Sequence, residues 1–214
     1  MNTDKRLFIT RTDSDPGNAC LFAYSKEIID HAEELGWDVQ KAENEKDTRQ
    51  NVLSRLASKY HLIVFNGHGT REEVTGHEGK MIVNVGDAPL LSDSVTYIRA
   101  CSCLDGLGKE AVRKGAKAVV GYREEFWISH FNEYAATPRK DPSSRAVMEV
   151  SNLIPLKLLK GSTVKETIDA AKNKANSMIY NMLVKNDFYD SATLQTLLHN
   201  DEALDFEGKG DATV

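Results

Sequence analysis

Apolar residues in this chain come in short runs of strand length, separated by stretches in which they recur every three or four positions. Residues 6–12, RLFITRT, centre Leu7, Phe8 and Ile9 in a first strand, and a polar loop, TDSDPGN, follows at 12–18. Leu21, Ile28, Ala32 and Leu35 then fall near 3.6-residue spacing, which predicts a helix over 21–35 ended by Gly36. Residues 37–40 read as a short second strand. Residues 48–60 put Val52, Leu53, Leu56, Ala57 and Tyr60 on one helical face. The next run, HLIVFNGHGT at 61–70, is an apolar strand that ends in Gly67-His68-Gly69. Residues 70–91 are polar, with a small hairpin expected around 80–85.

The stretch 94–122 repeats the design of strand, turn, helix and strand. Val95, Tyr97 and Ile98 form its first strand and deliver Cys101 to the carboxyl end. Gly106 and Gly108 loosen the turn, a short helix over 107–114 is closed by Gly115, and 116–120 is apolar apart from Lys117, as in a strand buried on both faces. Alternation of strand and helix through short loops predicts an α/β fold, a doubly wound, mostly parallel sheet flanked by helices, in the order 2-1-3-4 or close to it. Beyond 122 the alternation fails. Residues 123–142 read as a loop, 143–159 as a helix interrupted by Pro155, and Thr163 with Glu166 as a capping box opening a long helix through Val164, Ile168, Ala171, Ala175, Met178 and Met182. Asn186 and Asp187 are expected to stop that helix. A further helical segment at 194–198 and a last strand at 203–206 complete the chain, which reads as one domain over 1–214.

Composition narrows the function classes. The net charge is −5 and the basic residues are dispersed, so neither nucleic acid nor an anionic membrane is expected as a partner. No apolar run approaches the roughly 20 residues of a membrane helix, and the N-terminus has no signal-peptide core. Three cysteines, Cys20, Cys101 and Cys103, make no disulfide framework, and a reducing cytoplasm is the expected location.

The chemistry-bearing residues stand at strand ends. Adjacent parallel strands that end in His68 and Cys101 would form a nucleophile and base dyad at the side of the sheet where open α/β folds place their sites. A helix N-terminus after Cys101 would favour its thiolate. Either residue alone has a bland reading, the cysteine as a small core hydrophobe and the histidine as a loop residue. Both at matching strand ends favour function. Cys103, two residues on, is a competing thiol expected to pack beneath the turn. A metal site on Cys101 and Cys103 is disfavoured, because these thiols with His68 and His77 do not match zinc-ligand spacing, and no Gly-Lys-Ser/Thr follows the glycines at 69–79 to bind phosphate.

NGHG at 66–69 paired with RAC at 99–101 resembles the caspase-like cysteine peptidases, which include caspases, gingipains, separases and bacterial CHAT domains. The likeness continues through GLGKEAVRKGAKAVVGY at 106–122 and LLKGSTVKETIDAAKNKA at 158–175, and more loosely through ALDFEGKGDATV at 203–214. It implies a caspase-like fold and a cysteine endopeptidase without a cofactor, cutting a protein or peptide substrate through a thioester acyl-enzyme. His68 and Cys101 would be its dyad, and the N–H groups of Gly69 and Cys101 its oxyanion hole. The same resemblance puts the S1 pocket near the ends of the first strand and of the strands after the dyad. Arg11, Asp13, Asp15, Glu124, Glu125 and Trp127 are the candidates there, without a decision between a basic and an acidic preference. A caspase-like module that binds a partner without cutting it, and a flavodoxin-like small-ligand protein, are the alternatives. Control by a regulatory protein partner is expected over self-cleavage in the 134–144 loop, where Arg139-Lys140 stands between two prolines.

Overall fold

The computed structural model describes residues 4–185 and 191–214. Six strands make one sheet. They are β1 (Arg6–Arg11), β2 (Asp38–Glu43), β3 (Leu62–Asn66), β6 (Val95–Arg99), β7 (Ala118–Tyr122) and β8 (Leu204–Gly208), in spatial order β2-β1-β3-β6-β7-β8. Every pairing is parallel except β7 with β8. The expected order 2-1-3 followed by the cysteine strand is therefore present. The intervening pair β4 (Glu73–Thr75) and β5 (Met81–Asn84) stands apart as a two-stranded antiparallel sheet. The fold class read from the sequence, a mostly parallel α/β sheet flanked by helices, is the one observed.

Side-chain alternation along the strands fills two separate cores. Leu7, Ile9, Leu62, Val64, Val95 and Tyr97 point to one face, under α1 (Pro16–Glu34), α4 (Pro142–Leu159), α5 (Val164–Lys185) and α6 (Ser191–Ala203). Phe8, Ile63, Phe65, Ile98 and Val119 point to the other, under α2 (Arg49–Leu56), α3 (Leu107–Arg113) and the β4–β5 hairpin. All central strands are buried along their whole length, as continuous apolar runs in a parallel sheet require.

Several boundaries differ from the sequence reading, each for a local reason. Helix α1 begins at Pro16, because the Asp15 side chain caps it and proline suits a first helical position. Apolar periodicity starts only at Leu21 and misses that cap. Pro155 does not interrupt α4. It lies buried inside a continuous helix beside Ile154, Leu158 and Leu159, where packing outweighs the lost backbone hydrogen bond. Helix α2 ends at Leu56, and Tyr60 instead packs its ring against Phe8 of β1, with centroids 5.4 Å apart. The capping box forms as expected, Glu166 N–H donating to Thr163 Oγ1 at 3.2 Å and Thr163 N–H to Glu166 Oε2 at 2.9 Å. The expected stop at Asn186 and Asp187 lies outside the described residues.

One buried carboxyl works against the fold. Asp47 is fully buried after β2, and neither of its carboxylate oxygens finds a hydrogen-bond partner among the described residues. Burial pushes its pKa up to about 7. A folded value above the unfolded one means that the native state holds an extra proton between about pH 4 and pH 7. Stability is then lost as pH rises through that window, by an amount on the order of 4 kcal/mol at pH 8. Asp47→Asn should therefore raise the melting temperature by several degrees at pH 8 and leave it nearly unchanged at pH 4. Equal shifts at both pH values in thermal melts would contradict this.

Candidate active site

Register decides what meets at the carboxyl edge of the sheet. β3 and β6 are neighbours, with Asn66 paired to Arg99. Two residues beyond each member of that pair stand His68 and Cys101, so the two strands deliver them side by side. Both line one cavity of about 190 Å³, together with Asn18, Leu21, Phe126, Ile128 and His130.

The turns that carry them are tightly constrained. At Gly67 a Cβ would lie 1.9 Å from the Thr75 carbonyl oxygen. At Gly69 it would lie 2.6 Å from Cys103 Sγ and 2.9 Å from Ala100 Cβ, so glycine is required on both sides of His68. A bridge between Gly69 and Val74 is closed by Thr75 N–H to the His68 carbonyl and Thr70 N–H to the Glu73 carbonyl, both 2.9 Å. Neither bond uses the Gly69 N–H. After Cys101 the chain turns sharply through Ser102, a non-glycine residue at φ 56°, whose N–H donates to the Glu124 carbonyl at 2.8 Å.

His68 is exposed, and its Nε2 lies 3.0 Å from Asp15 Oδ2. Asp15 also receives the Asn18 N–H at 3.0 Å and the Asn18 side-chain amide at 2.6 Å. Partial burial raises the Asp15 pKa, but the Asn18 N–H and the His68 imidazole outweigh it and hold this carboxyl below its ordinary value. An ionised Asp15 accepts from Nε2–H, which fixes the neutral imidazole tautomer and leaves the basic lone pair on Nδ1. Asp15 was an S1 candidate in the sequence; in the structure it lies against His68 Nε2 and is not among the residues lining the cavity.

The three thiols are distinguished by burial. Cys103 is fully buried, its Sγ is 3.4 Å from the Glu73 carbonyl, and burial pushes its pKa up to about 12. Cys20 is likewise buried and pushed up to about 11. Cys101 is the partly exposed one, with Sγ 4.0 Å from the Phe126 carbonyl. Burial, reinforced by the Glu125 charge, holds its thiol above the ordinary value. This corrects the expectation of a thiolate stabilised by a helix end. A 3-10 turn at Cys103–Asp105 separates Cys101 from α3, which is only seven residues long. The cavity is therefore lined by a thiol held above its ordinary pKa and by an imidazole paired with Asp15.

Beneath the site, hydrogen bonds join the last residues of three strands. Asn66 Nδ2 donates to the Thr10 carbonyl at 2.6 Å, and fully buried Arg99 donates through Nε to Asn66 Oδ1 at 2.8 Å. Its Nη1 reaches Asn152 Oδ1 at 2.8 Å and Ser151 Oγ at 3.3 Å on α4, and its Nη2 reaches Ser25 Oγ at 3.4 Å on α1.

None of the six side chains expected to meet substrate lines the cavity. Arg11 is paired with Glu43 and reaches the Phe22 carbonyl, and Asp13 is exposed on the loop after β1. Glu124 is exposed, and Glu125 accepts the Trp127 indole N–H at 3.0 Å. Trp127 stacks on His199 of α6 at 3.8 Å. Sequence reasoning missed Leu21, Phe126, Ile128 and His130. Leu21 looked like ordinary helix core, and Phe126 to His130 lie in a segment without periodicity. Among the described residues no group of three or more His, Cys, Asp or Glu is placed to hold a metal ion, and no helix is long and apolar enough to cross a membrane.

No protein-family model matches this chain, and no curated protein matches it. Solved structures do. The crystal structure of the Arg-specific cysteine proteinase gingipain R is similar over all of this chain and 50% of its own, with a TM-score of 0.64 and 11% identity. A complex of the Porphyromonas gingivalis RgpB pro- and mature domains matches all of this chain and 51% of its own, with a TM-score of 0.64 and 12% identity. A structure described as a protease matches with a TM-score of 0.55 and 13% identity, over all of this chain and 49% of its own. The chain thus spans about half the length of the structures it matches, and it has their caspase-like fold.

Proposed function

We propose that this caspase-like chain is a cysteine endopeptidase in which Cys101 is the nucleophile, His68 the general base and acid, and Asp15 the residue that positions His68. The observation that carries the reading is the shared cavity, where a partly exposed thiol and an imidazole oriented by a carboxylate meet at the ends of adjacent parallel strands. The fold likeness to cysteine proteinases supports it.

The steps follow from these groups. His68 Nδ1 takes the Cys101 proton as sulfur attacks the scissile carbonyl, and a C–S bond forms. The Gly69 and Cys101 N–H groups receive the developing oxyanion. The imidazolium, stabilised by Asp15, gives its proton to the leaving amine as the C–N bond breaks. Water then cleaves the thioester with His68 again as base, releasing the acid and restoring the thiol. Burial holds the resting thiol above its ordinary pKa, so the reaction needs His68 to take its proton.

The raised thiol pKa also favours the alternative of a partner-binding module that does not cut. A mixed peptide library read by mass spectrometry separates the two. The peptidase reading expects new termini that are lost in His68→Ala, whereas binding without any cleaved bond would support the module. Asp15→Asn keeps the helix cap and loses the charge. It should lower kcat/KM on the order of 10²-fold, with a modest fall in melting temperature from the lost Asn18 side-chain bond. Unchanged kinetics would remove Asp15 from the mechanism.

A further inference from the structure

The cavity beside Cys101 has a definite chemical character. Its walls beyond the dyad are Leu21, Phe126 and Ile128, with Asn18 and His130 and a floor of glycine and alanine, and no carboxylate, lysine or arginine lines it. Three of the charges that the sequence places nearby already have partners, and Asp13 and Glu124 are exposed and do not line the cavity. Arg11 is held by Glu43, Asp15 by His68 and Asn18, and Glu125 by the Trp127 indole. The wall is also firmly held. The Asn200 side chain of α6 receives the Trp127 N–H at 2.9 Å and donates to the Trp127 carbonyl at 2.8 Å, and His199 Nε2 donates to the Glu125 carbonyl at 2.8 Å.

We propose that this cavity is the S1 pocket and that it selects an uncharged, apolar P1 residue of leucine, methionine or phenylalanine size. The inference rests on the peptidase reading and adds its substrate class. An apolar cavity of about 150 Å³ accommodates benzene, so about 190 Å³ takes a branched aliphatic chain or a phenyl ring. A guanidinium or carboxylate entering it would lose its hydration and meet no carboxylate, lysine or arginine in the lining. The structurally similar gingipain R is described as Arg-specific, and this pocket lacks the lining carboxylate that an arginine would need. A corollary concerns Arg139-Lys140. Arg139 is held in a 3-10 turn, its carbonyl accepting from Arg145 Nη2 at 3.2 Å, and with a neutral S1 pocket the chain does not cut itself after either basic residue.

The test uses fluorogenic peptides that differ only at P1, with matched acyloxymethyl ketones to label Cys101. Leucine, methionine or phenylalanine should exceed arginine, lysine and aspartate in kcat/KM by about 100-fold or more. Ile128→Asp should shift the ratio of arginine to leucine upward at least about tenfold, by adding the missing counter-charge. Cys101-dependent turnover that prefers arginine, lysine or aspartate would overturn the specificity and leave the peptidase reading standing. No turnover of any peptide and no ketone adduct would end the peptidase reading and this inference with it.

Discussion

Peptide hydrolysis should fall by at least about 10⁴-fold in Cys101→Ala, and remain within an order of magnitude of the unmodified protein in Cys103→Ala. The two thiols are two residues apart, and the prediction separates them by environment. Cys103 is fully buried below Gly69, and its pKa of about 12 keeps it a thiol at any physiological pH. Cys101 faces the cavity that His68 also lines. Alanine at 101 removes the atom that forms the covalent bond, and no neighbouring group replaces it. Alanine at 103 removes only a packed sulfur, so that variant should lose modest stability. Steady-state rates on one peptide, with circular dichroism to show that both variants fold, decide the matter. Loss in Cys103→Ala with activity in Cys101→Ala would move the nucleophile, and activity in both would end the cysteine mechanism.

The second large effect is structural. Arg99→Ala should destabilise the protein by about 3–5 kcal/mol, because it leaves a cavity and strips donors from Asn66, Asn152, Ser151 and Ser25 at once. The side-chain partners that this buried cation donates to are all neutral. Its hydrogen bonds to neutral oxygens, with the more distant Glu27 carboxylate that Asn152 Nδ2 holds at 2.8 Å, offset its burial, which itself lowers the Arg99 pKa. The same bonds fix the strand ends that carry His68 and Cys101 and tie them to α1 and α4. Arg99→Lys keeps the charge but cannot reach several partners in the planar geometry, so its stability should fall between the two. Denaturant titration measures this, and an alanine variant as stable as the parent would refute the network.

The sheet was legible because its central strands are continuous apolar runs, and such runs fit a buried parallel sheet in few other ways. The placement of His68 and Cys101 at neighbouring strand ends was legible for a related reason. Polar, glycine-flanked residues directly after apolar runs must lie at strand ends, and the order of strands follows from short right-handed connections. What stayed hidden depends on contacts between distant segments. Asp15 looks like any loop carboxylate until α1 brings it to Nε2 of His68. Phe126 and Ile128 show no period of their own, because α6 holds their segment from outside. Pro155 misleads because a local rule is overruled by packing. The raised pKa of Cys101 stayed hidden for the same reason, since its burial is set by the tertiary fold while the sequence shows only a nearby helix.

The central claim is that Cys101 becomes acylated by substrate. Rapid acid quenching during turnover of an activated peptide ester, chosen from sequences that the protein cleaves, followed by intact and peptide mass analysis, tests it directly. The account predicts an adduct with the mass of the acyl group, on the peptide containing Cys101, absent in Cys101→Ala and lost on treatment with hydroxylamine as a thioester should be. Turnover without any such adduct, or an adduct on another residue, would contradict it.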